Sequence, residues 1–167
     1  MRVGEALHLA RADVDLAAGV IRVRHPKFDR ERLVPLHSST TGALRGYAAR
    51  RDRLCPRPGT DTFFISHVGT ALRHSPVHAT FRTLLASAGI TTVTGRPPRI
   101  HDLRHSMVVN TVIDWQRDGV DVASRLPVLS AYLGHVSPAS TYWYLTAVPE
   151  LMQSAAAGLD RRFGDQR

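Results

Sequence analysis

Nine histidines and 22 basic residues make the pattern His-x-x-Arg easy to find by accident. Of the basic residues 21 are arginine, and nine histidines multiplied by that frequency in 167 residues give about one chance match. Two occur, at His8 with Arg11 and at His101 with Arg104. The pattern alone therefore carries nothing, and only its company can lift the second above the first. That company is Arg2 with Glu5 three residues on, Lys27, the string His101-Asp102-Leu103-Arg104-His105, then Leu133-Gly134-His135, and Tyr144 nine residues past that histidine. These residue types fit together around an anion. A guanidinium is a planar fork that meets two phosphate oxygens at once, so Arg2 and Arg104 could clamp one phosphate if the fold unites them. Lys27 is the one lysine among 21 arginines. A GC-rich coding sequence produces such an excess without chemical selection, yet an ammonium can release a proton and a guanidinium effectively cannot.

The elements that must hold these residues can be read from apolar spacing. Glu5 to Arg11 reads as the end of a helix, stopping before Asp13. Val20, Ile21 and Val23, a His25-Pro26 break, then Leu33, Val34 and Leu36 read as two strands of a hairpin with Lys27 near its turn. Residues 38–53 suit an amphipathic helix with Ser38, Ser39 and Thr40 as cap candidates. Phe63, Phe64 and Ile65 read as a further short strand, and Pro76 as the start of a helix reaching Gly89. From His101 to about Gln116, Leu103, Met107, Val108, Thr111 and Val112 keep helical spacing; shorter helices are predicted at Pro127–Leu133, Pro138–Leu145 and Pro149–Arg162. The fold class is mainly α with a small antiparallel β-sheet near the N-terminus.

Composition narrows the partners. The chain is 43% hydrophobic and 22% charged, which are globular values. A formal charge of +8 and a pI of about 10.9 point to an extended polyanion, with cytosolic nucleic acid preferred over an anionic membrane. Cys55 is the one cysteine, so no internal disulfide and no thiolate zinc cluster can form, and a reducing compartment is expected. The residues after Met1 lack the apolar run of a signal peptide. Leu126 to Pro149 carries no Asp, Glu, Lys or Arg, but two internal prolines, a histidine and several hydroxyl residues interrupt it, and it reads as buried structure rather than a membrane span.

The order Arg2, Lys27, His101-x-x-Arg104, Leu133-Gly134-His135, Tyr144 resembles the signature of the tyrosine recombinase (phage integrase) family. The likeness covers nearly the whole chain. Its most specific parts are Arg2 to Asp15, Arg32 to Leu36 and His101 to Tyr144. Tyr132 to Leu151, with Thr141-Tyr142-Trp143-Tyr144-Leu145, is similar to recombinases carried by transposons that encode several such enzymes together. Family members normally have one or more helices before the first arginine, and upstream of those a helical domain that clamps DNA. The chain is therefore expected to be one catalytic domain over 1–167 with those parts missing. By itself it is expected to bind DNA weakly and to recombine little.

What the resemblance implies is site-specific DNA cleavage and rejoining by transesterification, in a bacterial cytoplasmic, nucleoid-associated enzyme acting on double-stranded DNA as a tetramer on paired sites. No metal, ATP or other cofactor is implied. Without a metal, charge building on the non-bridging oxygens must be met by fixed cations or donors, the place of Arg2 and Arg104. Tyr144 would be the nucleophile that forms a 3′-phosphotyrosyl bond, with His101 as the candidate base for a phenol whose ordinary pKa is about 10. Lys27 would protonate the leaving 5′-oxygen, His135 would donate a hydrogen bond to the phosphate, and Glu5 would brace the arginine site.

Plainer readings stand beside each assignment. Arg2 and Lys27 are solvated charges by default, His101 an N-terminal helix residue bonded to backbone, and Tyr142, Trp143 and Tyr144 an aromatic core patch. Two residues apart on a helix, Tyr142 and Tyr144 would point in different directions, and the spacing from His135 favours Tyr144. Three other functions compete: a type IB topoisomerase, an inactive remnant that binds DNA without cutting it, and a metal-dependent phosphohydrolase built on His101-Asp102, for which no further ligand array is evident.

Overall fold

The computed structural model describes residues 1–25, 30–90 and 97–134. It falls into two bodies, one spanning Met1–Asp102 and one that begins at Leu103. Lys27, His135 and Tyr144, Tyr142 and Trp143 beside it, and the helices expected at Pro138–Leu145 and Pro149–Arg162 lie outside the described residues. The described elements are mainly helical, with one small antiparallel sheet near the N-terminus.

In the first body, α1 is the short helix Val3–Leu7, followed by a 3-10 turn at Arg11–Asp13. The expected run to Arg11 is broken because the backbone finds other partners. Phe63 N–H donates to the Leu9 carbonyl at 2.7 Å, and Arg11 N–H donates to the Asp61 carbonyl at 2.8 Å, so Leu9 and Ala10 leave the helix. Strands β1 (Val14–Asp15), β2 (Val20–His25) and β3 (Arg30–Pro35) pair in that order, all antiparallel. The register sets Ile21 opposite Val34 and Val23 opposite Arg32. Paired residues share a face, and Ile21, Val23 and Val34 are all buried. Alternation turns Leu33 outward, where it is 63% exposed although it sits in an apolar run.

Helix α2 spans Ser38–Leu54, and its N-cap is His37 rather than the hydroxyl residues that follow, the ring accepting the Ser39 N–H at 3.3 Å. Among the described residues Phe63 to Ile65 forms no strand, and beside it lie two isolated bridges, Ala10 to Thr62 and Ile65 to Ala71. Side chains of α2 satisfy that segment instead. The buried Arg51 donates to the Phe63 carbonyl at 2.7 Å and to Asp52 at 2.8 Å, and Ile65 N–H donates to the Tyr47 hydroxyl at 3.0 Å. Helix α3 covers His74–Ser87 and takes Pro76 into its first turn, where a missing N–H costs nothing.

Helix α4 runs Ile100–Arg117 and α5 runs Val122–Leu133. Val108 and Val112 of α4 pack with Leu129 and Leu133 of α5, flanked by Val109, Ile113, Trp115 and Val122. Leu103 and Met107 have helical spacing but lie exposed, so the buried stripe of α4 passes through Arg104 instead. α5 begins a turn before its expected start at Pro127. Asp121 caps it by accepting the Ala123 N–H at 3.0 Å, and burial of Leu126, Leu129 and Leu133 outweighs the one ladder bond that the proline removes. No helix among the described residues is long and apolar enough to cross a membrane.

Candidate functional site

Arg2 is the N-cap of α1, with extended backbone and an exposed side chain. Its main-chain N–H donates to Glu5 Oε2 at 2.6 Å, the back-bond of a capping box. The same carboxylate takes both arms of Arg32: Nη1 donates to Oε1 at 3.1 Å and Nη2 to Oε2 at 2.8 Å. The two side chains are 9% and 18% exposed. Burial alone would push the Glu5 carboxyl up; the Arg32 hydrogen bonds, the Arg2 N–H and the Arg32 charge outweigh it and hold the pKa below its ordinary 4.5. Glu5 is thus bound to Arg2 through the main chain and spends its charge on Arg32. A second fork lies nearby in sequence. Arg24 Nε and Nη2 donate to Asp13 Oδ1 at 3.0 and 2.6 Å, tying β2 to the 3-10 turn that follows α1.

On α4 the string from His101 separates by role. His101 lies in the first turn and is exposed. Asp102 accepts the Arg99 N–H at 2.7 Å and an Arg99 guanidinium N–H at 3.3 Å, a helix-starting contact that accounts for an acid at this position. Arg104, one turn on, is only 7% exposed, and its Nη2 donates to the Leu133 carbonyl at 2.6 Å. Leu133 is fully buried in the α4–α5 core. Gly134 ends α5 with φ +69°, a left-handed conformation that glycine adopts without a Cβ penalty, and its N–H donates to the Ala131 carbonyl at 3.0 Å. A hydrogen bond therefore links the arginine of His-x-x-Arg to the leucine of Leu-Gly-His. The Arg104 guanidinium, carried by α4, meets the last turn of α5, where a cation suits the helix end, and Gly134 ends that helix.

Within the first body the fold unites Arg2, Glu5 and Arg32; within the second it unites Arg104 with Leu133. Arg32 was visible only as part of an Arg-Leu-Val-Pro-Leu string. An apolar run preceded by charge does not by itself tell which residue faces inward; the even spacing of Arg32 from Val34 was the usable signal.

Residues 1–150 match the phage integrase family. A Sinorhizobium fredii protein named as an integrase/recombinase, y4rB, is 42% identical over 168 residues, covering 99% of this chain and 54% of its own length. The crystal structure of XerA recombinase superposes with a TM-score of 0.74 at 27% identity, over 94% of this chain and 52% of that one. The XerH site-specific recombinase, bound to a palindromic difH substrate in a post-cleavage complex, superposes with a TM-score of 0.69 at 26% identity, over 94% and 41%. The chain spans about half the length of these relatives.

Proposed function

The chain belongs to the phage integrase family, and we propose that it cuts and rejoins double-stranded DNA through a covalent bond to Tyr144. The Tyr144 oxygen attacks the scissile phosphorus, the bond to the 5′-oxygen breaks, and the DNA is left as a 3′-phosphotyrosyl ester that a 5′-hydroxyl later reverses. His101 takes the phenolic proton and Lys27 gives one to the leaving oxygen, so protons balance. Arg2 and Arg104 meet the charge on the non-bridging oxygens, with a hydrogen bond from His135. The observation that carries this reading is the Arg104 bond to Leu133, because it supplies a structural reason for the two motifs to occur in one chain. An arginine that is buried and anchored at one nitrogen is oriented before any phosphate arrives, and preorganisation of this kind makes a fixed cation effective. Paired DNA sites held by four copies, within a transposon-borne system, complete the proposal.

The test is covalent capture. Nicked duplexes with a randomised centre are incubated with the protein in a chelator, denatured, and the protein-linked strands sequenced. The expected result is an adduct on a recurrent sequence, lost in Tyr144→Phe with DNA binding almost intact and kept in Tyr142→Phe. An adduct mapped to Tyr142 overturns the assignment. Binding without any adduct would instead support a DNA-binding remnant, and dependence on a divalent metal would support a phosphohydrolase.

A further inference from the structure

One joint in the first body is not used by the proposed chemistry itself. Ile21, Val23, Val34 and Arg32 share the inward face of the sheet, and Arg32 is the one charge among them. A guanidinium turned inward needs acceptors for its N–H groups, and a carboxylate that takes the fork also neutralises the charge. Glu5 does so with both oxygens, and the same carboxylate accepts the main-chain N–H of Arg2. One acid thus ties strand β3 to the peptide unit from which the Arg2 side chain projects. Strand β3 begins at Arg30, β2 ends at His25, and Lys27 is one of the four residues between them in sequence.

We infer that Arg32 is a positioning residue: through Glu5 it holds the backbone of Arg2 in register with strand β3, which begins three residues after Lys27 in sequence, and it touches no DNA itself. The inference rests on the roles proposed above for Arg2 and Lys27. Its strength lies in the fork. Two parallel N–H bonds fix direction as well as distance, which a single ammonium cannot do.

Two experiments test it. The first needs no DNA. Because Lys27 is the one lysine, reductive methylation with 13C-formaldehyde labels its amine and the N-terminal amine alone. In Glu5→Gln and in Arg32→Gln the Lys27 resonance is expected to move in the same direction, with the double variant adding nothing, because either change opens one joint. Charge acting alone would behave differently, since the two variants alter net charge in opposite senses. Displacements that oppose and cancel in the double variant, or no displacement, overturn the inference.

The second experiment uses the duplex found by covalent capture, with sulfur replacing the 5′-bridging oxygen so that a thiolate leaves without being protonated. Lys27→Ala defines full rescue on sulfur and Arg2→Ala defines none. Arg32→Gln is expected to cleave ordinary DNA about 100-fold more slowly than the parent and to regain about tenfold on sulfur, since its defect is divided between the two groups. Arg32→Lys, which keeps the charge without the fork, is expected to remain defective, and it serves in this assay where Arg32→Gln does not fold. A loss equal on both substrates marks a merely structural role and overturns the inference. A parent protein that forms no adduct, or a Lys27→Ala variant that sulfur fails to rescue, overturns the proposed chemistry instead and leaves the resonance experiment to decide the joint.

Discussion

Glu5 serves three donors with one carboxylate, and its charge is what makes the arrangement stable in a largely buried place. Its folded pKa lies below the ordinary 4.5, so it contributes stability that is fully present above that value and is lost as pH falls through the folded pKa. Glu5→Gln should accordingly lower stability at pH 7 by on the order of 2 kcal/mol, because Arg32 keeps its charge and loses its counterion. Thermal melts of the two proteins between pH 7 and pH 3 should converge as the acid limit is approached. A gap unchanged at pH 3 would show that the carboxylate charge is not what the pair contributes. Asp52 follows the same sign: hydrogen bonding from Arg51, beside the charges of Arg51 and Arg11, holds its carboxyl below the ordinary 3.8. It lies open to water, so screening keeps its share small.

The C-terminus of α5 concentrates three contributions in two residues: Leu133 fills the core, its carbonyl receives Arg104, and Gly134 reverses the chain at φ +69°. Gly134→Ala should cost about 1–2 kcal/mol for the left-handed backbone alone. It should also slow adduct formation by more than that loss of stability explains, because position 135 follows directly. Melts paired with single-turnover cleavage at a temperature where both proteins are folded would check this; a variant that melts lower yet cleaves at the parental rate would contradict it. Much of this architecture was legible beforehand. The hairpin showed itself through Val20, Ile21 and Val23 against Leu33, Val34 and Leu36, and α4 and α2 were placed to within a residue or so by helical spacing. What escaped depends on contacts distant in sequence. Arg51 reaches twelve residues ahead to turn Phe63 to Ile65 into a tethered loop, and Pro127 sits inside α5 because three leucines are buried around it. The residues proposed for the site could be named from the motifs. The bond from Arg104 to a main-chain carbonyl could not, since no side-chain pattern in a sequence reports a backbone acceptor 29 residues away.

Taken as a whole, the molecule carries a formal +8, and DNA affinity in the proposed reading should be dominated by release of counterions from phosphates. Binding to a random-sequence duplex, followed by fluorescence anisotropy, should weaken about a thousandfold between 50 and 200 mM salt if about six phosphates are neutralised. A dissociation constant indifferent to salt would remove the electrostatic basis of that reading. The sheet adds a different consequence at this scale. Among the described residues strand β3 lies at its margin, with Leu33 pointing out and Val34 pointing in, and a margin strand offers unpaired N–H and C=O groups to any other chain that can extend beside it. Arg30, Glu31 and Arg32 charge the start of that strand, and Pro35 removes a donor at its end. An inward-facing charge is among the devices that keep such margins from pairing across molecules. Arg32 therefore stands in the way of fibril-like stacking as well, and replacing it by an aliphatic residue would leave a continuous apolar edge from 32 to 34 open to self-assembly in a crowded cell.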